Sequence, residues 1–225
     1  MFYYRKEIGM KFKAVLFDLD GTLLDTLDDL ADSMNSVLER FGYPTHEVAA
    51  YKYFVGKGFR NLVHNTFPEY ARDDAAIERG ISAMREEYAK RWDNKTKPYP
   101  GINSLLDALT QKGLKIAILS NKADDFTNRI VKKLLPDWHF ELVYGERTGI
   151  PRKPDPSGAL EIAQKLGVQP CECLYLGDTG VDMKTAVSAG MYPVGVLWGF
   201  RKAEELAADG ARVLIADPAA TLDLL

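Results

Sequence analysis

Short apolar runs recur along this chain at intervals that strand–helix alternation accounts for. Ala14-Val15-Leu16-Phe17, Ile116-Ala117-Ile118-Leu119, Leu174-Tyr175-Leu176 and Val194-Gly195-Val196-Leu197 read as buried strands. Leu142-Val143-Tyr144 and Val213-Leu214-Ile215 are weaker members of the series. Helical patterns lie between them. Ile102, Leu105, Leu106 and Leu109 give one apolar face, stopped by Gly113. Ala159, Ile162, Ala163 and Leu166 give another, opened near Pro156 and closed by Gly167. A strand followed by a helix that returns to the same sheet adds a parallel neighbour. The expected fold class is therefore α/β, with a Rossmann-like parallel sheet as its core.

One stretch breaks the alternation. Residues 26–94 carry helix after helix and no strand: Leu27, Leu30, Met34, Val37, Leu38 and Phe41 fall at helical spacing before Gly42 and Pro44 end the run. Ile77, Ile81, Met84, Tyr88 and Trp92 repeat the pattern. The return segment Lys95-Thr96-Lys97-Pro98-Tyr99-Pro100-Gly101 has the composition of a boundary. The division expected is a short extension over 1–11, a core over 12–25 and 95–225, and an inserted all-helical cap domain over 26–94. The Met and aromatic positions of the insertion read as its own core.

Composition limits what such a chain can do. With 225 residues, it can hold one domain plus a smaller insert. A net charge of −3 without a basic stripe argues against nucleic acid as partner. No apolar run approaches the roughly 18 residues that span a membrane. Met1 to Gly9 lacks an apolar stretch of signal-peptide length, so cytoplasmic residence is the default. Cys171 and Cys173 are too few for a disulfide framework and read as small residues at a strand start. Oligomeric state has no signature in the sequence.

In an open parallel sheet, ligands bind at the carboxyl ends of the strands, so the residues that follow each strand are informative. The first strand leads into Asp18-Leu19-Asp20-Gly21-Thr22, the second into Ser120-Asn121-Lys122, and a later one into Gly177-Asp178-Thr179-Gly180-Val181-Asp182. That geometry brings Asp18, Asp178 and Asp182 toward one spot beside a hydroxyl. Two carboxylates about 4 Å apart repel by roughly 4 kcal/mol at an effective dielectric of 20. A hard divalent cation relieves that repulsion, and Mg²⁺ suits an all-oxygen donor set. Without His or Cys among the donors, zinc does not fit. Lys153, in a loop restricted by Pro151, Pro154 and Pro156, offers an ammonium to a phosphate oxygen. A carboxylate can attack phosphorus to give an aspartyl phosphate.

Each element has a plainer reading on its own. Asp-x-Asp-Gly is commonly a turn. Ser120 is an acceptable helix N-cap, Lys153 an ordinary solvated charge, and Gly177-Asp178 a turn or a cap. The joint order of the pieces along the chain favours chemistry over coincidence.

The combination resembles the haloacid dehalogenase-like superfamily, in its phosphoglycolate-phosphatase-like branch, from Phe12 onward. Asp18-Leu19-Asp20-Gly21-Thr22-Leu23-Leu24-Asp25-Thr26, Leu119-Ser120-Asn121-Lys122, Lys153-Pro154-Asp155-Pro156 and Gly177-Asp178 with Asp182 carry it. The resemblance implies a Mg²⁺-dependent phosphatase acting on a small phosphate ester. It makes Asp18 the nucleophile and a metal ligand. It makes Asp20 the acid and base, with its backbone carbonyl on the metal. Ser120 and Asn121 would bind phosphate, Lys153 would balance charge, Asp178 would ligate the metal, and Asp182 would support the metal or Lys153. Gly21 would permit the chain reversal after the strand.

An acid two residues after the nucleophile disfavours the related dehalogenases and phosphonatases. A sugar phosphomutase, or a catalytically silent phosphate-binding protein, are the alternatives. 2-Phosphoglycolate is the first substrate candidate, beside pyrophosphate, nucleotides and sugar phosphates. The segment Val55-Gly56-Lys57-Gly58-Phe59-Arg60 suggests a loop reaching the active site, with Lys57 and Arg60 as substrate contacts.

Overall fold

The computed structural model describes residues 12–225. The extension expected at residues 1–11 lies outside them. Six strands form one parallel sheet: β1 (Ala14–Phe17), β4 (Lys115–Ala123), β5 (Leu142–Glu146), β6 (Cys173–Gly177), β7 (Tyr192–Val196) and β8 (Val213–Ile215). Their order is β5-β4-β1-β6-β7-β8. All six apolar runs seen in the sequence are strands of this sheet, which confirms the α/β class.

β1 is paired on both sides, Val15 opposite Ile116 of β4 and Leu174 of β6. Alternate residues of β1 therefore serve opposite faces. Val15 and Phe17 join one apolar cluster with Leu105 and Phe126, from α5 (Ile102–Gln111) and α6 (Asp124–Leu134). Ala14 and Leu16 join the other, with Ile162 and Ala186 from α7 (Ser157–Leu166) and α8 (Gly180–Ala189). Because the chain winds both ways from β1, a crevice opens at the carboxyl ends of β1, β4 and β6.

Four helices leave the sheet after β1: α1 (Leu27–Arg40), α2 (Val48–Phe54), α3 (Gly58–Thr66) and α4 (Asp74–Arg91). Their departure and return are tied together. β2 (Leu24–Asp25) pairs antiparallel with β3 (Lys97–Pro98) as a short ribbon. Beside it, Asp29 of α1 is buried and accepts the Lys95 and Thr96 amides at 3.0 and 2.9 Å and the Thr96 hydroxyl at 2.7 Å. A buried carboxylate must be hydrogen-bonded, and these donors come from the segment that must be held. The inserted helices rest on α6 through Tyr88 of α4, whose ring centroid lies 5.1 Å from that of Phe126. Phe59 of α3 completes this group, at 5.8 Å from Tyr88 and 6.0 Å from Phe126.

Candidate active site

Asp18 follows β1 directly, at the carboxyl edge of the sheet. The next residues turn sharply: Gly21 adopts φ +87°, and the Leu23 and Leu24 amides both donate to the Leu19 carbonyl, at 3.1 and 3.0 Å. A Cβ at Gly21 would overlap the Asp178 carboxylate, so the turn and the close approach both require glycine.

Asp178 follows β6, the strand beside β1, and Asp182 lies in the first turn of α8. One carboxylate oxygen from each of Asp18, Asp178 and Asp182 falls within 4.8 Å of the others, and all three residues are buried. Lys153 Nζ stands 2.8 Å from Asp18 Oδ1 and 2.7 Å from Asp182 Oδ1. The two remaining acids are held differently. Asp182 Oδ2 accepts the Thr179 amide at 3.1 Å and the Thr179 hydroxyl at 2.5 Å, so both its oxygens are engaged. Asp178 accepts the Thr22 hydroxyl at 3.1 Å on Oδ1 and the Phe200 amide at 2.8 Å on Oδ2.

Charge in the cluster does not balance. Burial, reinforced by Asp182, pushes the Asp18 pKa up to about 7, even with Lys153 pulling it down. Burial, then Asp182 and Asp18, raise that of Asp178 well above the carboxylate range. Burial opposes the Lys153 charge, but Asp18 and Asp182 outweigh it and hold its pKa well above normal. Three acids thus share one ammonium, and the oxygen-only donor set fits a hard divalent cation. Both oxygens of Asp182 and both of Asp178 accept protein donors, while Asp18 is engaged through Oδ1 by Lys153 and the Leu19 amide.

A second ion pair lies beside the first. Lys122 Nζ is 3.0 and 3.1 Å from the two carboxylate oxygens of Asp20, with the Tyr88 ring centroid at 4.5 Å. The Lys122 side chain is 1% exposed. Burial opposes its charge, but Asp20 and Tyr88 outweigh it and hold the ammonium above its ordinary pKa. Lys122 had appeared in the sequence only as the end of a motif. Three consecutive polar residues after an apolar run were the available signal.

Between this floor and the inserted helices lies a cleft walled by Leu30, Val55, Phe59 and Leu62. Ser120 lines it, inside β4 and not at a helix N-cap, and its hydroxyl accepts the Lys122 amide at 3.2 Å. Asn121 also lines it, but its side chain is committed elsewhere. Nδ2 donates to the Lys153 carbonyl at 3.0 Å and to the Gly56 carbonyl at 3.1 Å, while Oδ1 accepts the Lys153 amide at 2.9 Å. The Asn121 side chain, expected to bind phosphate, holds the Lys153 loop to the inserted segment.

Lys57 and Arg60 are the substrate contacts expected from the inserted loop. Both are exposed, and neither lines the cleft. Gly56 and Gly58, at φ +104° and +79°, turn the loop so that its backbone is what meets the core: Arg152 donates to the Lys57 carbonyl at 3.3 Å. Arg60 is ion-paired with Glu78 of α4. Arg201 adds further bonds, to the Lys52 and Val55 carbonyls.

A family model for haloacid dehalogenase-like hydrolases matches residues 15–196, and so takes in every acid just described. The chain belongs to this family. The hydrolase is 31% identical over 214 residues to the phosphoglycolate phosphatase of Pseudomonas putida, covering 93% of this chain and 78% of that one. It is 34% identical over 200 residues to the phosphoglycolate phosphatase of Chromobacterium violaceum, covering 88% and 90%. A crystal structure from Lactobacillus delbrueckii subsp. bulgaricus matches with a TM-score of 0.88 at 33% identity, over 94% of this chain and 97% of that one. A predicted phosphoglycolate phosphatase from Haemophilus somnus matches with a TM-score of 0.88 at 27% identity, over 96% and 99%. The hydrolase is thus a phosphatase of the phosphoglycolate-phosphatase-like branch. Among its described residues no helix is long and apolar enough to cross a membrane.

Proposed function

We propose that this phosphatase hydrolyses a small phosphate monoester, with 2-phosphoglycolate as first candidate, through a phosphorylated Asp18. The observation that carries the reading is the shared contact of Lys153 Nζ with Asp18 and Asp182 at 2.8 and 2.7 Å. An ammonium held there stands beside the nucleophile and neutralises an oxygen of the transferring group.

Asp18 Oδ1 is occupied by Lys153 and by the Leu19 amide at 2.7 Å, which leaves Oδ2 to attack phosphorus. The bond from phosphorus to the ester oxygen breaks as Asp20 gives that oxygen a proton. Water then attacks the phosphorus of the acyl phosphate and returns a proton to Asp20, and the bond to Asp18 breaks. Ser120 donates its hydroxyl to the phosphoryl group. Asp18, Asp178 and the Asp20 carbonyl are the groups that would hold Mg²⁺, which when bound neutralises charge shared by phosphate and carboxylates.

The names of the Pseudomonas putida and Chromobacterium violaceum relatives support 2-phosphoglycolate. The insertion over 26–94 acts as a cap that shelters the cleft, and the setting is cytoplasmic. Phosphate release from a panel of 2-phosphoglycolate, pyrophosphate, nucleotides and sugar phosphates tests the reading, with Asp18→Asn as the blank. Turnover of the panel equal in the parent and in Asp18→Asn would sink it.

A further inference from the structure

The cleft holds two kinds of wall. Leu30, Val55, Phe59 and Leu62 are apolar, and an anion placed against them would be desolvated without a partner. The charged groups on its floor are the carboxylates of Asp18 and Asp20 and the ammonium of Lys122. Lys153 is committed to Asp18 and Asp182. Among the described residues that line the cleft, Lys122 is the one cationic side chain that a second anion on a substrate could meet.

Position follows from chemistry. In the reaction proposed above, on which this inference rests, Asp20 protonates the leaving oxygen. An ammonium 3.0 Å from the Asp20 carboxylate consequently stands on the leaving-group side of the substrate, away from the transferring phosphoryl group. Lysine nitrogen carries three N–H donors. Nζ contacts both oxygens of Asp20 with Tyr88 beside it, so an anion that reaches it shares the ammonium with Asp20.

We propose that Lys122 determines substrate choice by receiving an anionic group on the leaving-group portion of a short phosphate ester. Esters bearing a carboxylate close to the ester oxygen are then selected over neutral-tailed ones. The selecting charge comes from the core strand β4, not from the exposed Lys57 or Arg60 of the inserted loop.

The test compares 2-phosphoglycolate with its primary amide, which has nearly the same shape and no tail charge. Para-nitrophenyl phosphate serves as a general ester. The Mg²⁺-loaded parent should favour the carboxylate over the amide in kcat/KM by about 10- to 100-fold, as a charge-assisted hydrogen bond allows. Lys122→Met should bring that ratio to within about threefold. Lys122→Arg should keep a preference for the carboxylate, and Lys57→Ala and Arg60→Ala should leave the ratio at the parent value. Circular dichroism of each variant checks folding; Lys122→Gln, which keeps a donor to Asp20 without the charge, should likewise bring the ratio to within about threefold and serves if Lys122→Met does not fold. A parent that turns over all three esters with no carboxylate preference overturns the proposal and leaves the phosphatase reading intact. So does a Lys122→Met variant that slows carboxylate and amide by one common factor, since Lys122 would then serve Asp20 alone. A folded parent that releases phosphate from no ester overturns both.

Discussion

The Asn121 side chain and the Lys153 backbone form a two-bond ring, Oδ1 accepting the Lys153 amide at 2.9 Å and Nδ2 donating to its carbonyl at 3.0 Å. The same Nδ2 reaches the Gly56 carbonyl at 3.1 Å. One amide thus sets the position of the ammonium beside Asp18 and seats the inserted loop. Asn121→Ala should lower kcat by about 10- to 100-fold through misplacement of Lys153. Arg201→Ala, which removes bonds to the same loop without touching Lys153, should raise KM more than it lowers kcat. Steady-state kinetics on one ester separates the two. Matching effects in both variants would reduce Asn121 to a latch.

Asp18 and Asp20 should fail in different ways. Asp18→Asn loses turnover and the phosphoenzyme together, because an amide does not attack phosphorus. Asp20→Ala keeps the nucleophile and loses about 10² to 10⁴ in rate, the usual worth of a positioned proton donor. Acid-quenched mass spectrometry should find phosphate on Asp18 in the parent and none in Asp18→Asn.

Metal dependence carries a sign. Chelation should abolish activity, and Ca²⁺ should inhibit because its looser coordination misplaces Asp18. Mg²⁺ needs ionised acids, while metal-free Asp18 holds its proton up to about pH 7. Affinity for Mg²⁺ should therefore fall as pH drops through about 7, approaching tenfold per unit for each proton displaced. Calorimetric titration at pH 6, 7 and 8 measures this. Folding of the metal-free protein has the opposite sign: a raised carboxyl pKa costs stability above pH 7 and the cost fades as pH falls. Asp18→Asn should accordingly gain thermal stability over the metal-free parent at pH 8, and less at pH 5. An equal difference at both pH values would contradict the buried uncompensated charge.

Asp29 should matter far from the chemistry. Asp29→Ala strips the acceptor from the Lys95 amide and from the buried Thr96 amide and hydroxyl, and each unsatisfied buried donor costs about 1–3 kcal/mol. A loss on the order of 3 kcal/mol should appear in denaturant unfolding. Amide exchange at residues 95 and 96 should accelerate with it. Unchanged exchange there would show that the β2–β3 ribbon holds the return segment by itself.

The strand ends were legible because polar residues follow unbroken apolar runs, and sheet geometry then gathers them. Asp18, Asp178 and Asp182 meet on that basis, and Lys153 joins them from the proline-restricted loop after β5. What stayed hidden depends on contacts across long separations. The Lys122–Asp20 pair spans 102 positions, and the Asp29–Thr96 contact 67. β2 and β3 have two residues each, too short to display a period. Gly56 and Gly58 suggested a loop whose lysine and arginine reach inward. Their positive φ values instead let the backbone carbonyls do the contacting.

The ring contacts among Phe59, Tyr88 and Phe126 give the cleft a thermal character. Any separation of the inserted helices from α6 must hydrate these three faces, so opening carries a positive heat-capacity change. Hydration of apolar surface becomes less unfavourable in the cold, and closure weakens with it. Substrate affinity should then trace a curved, not straight, van't Hoff plot, and truncating Phe126 to alanine should flatten the curve.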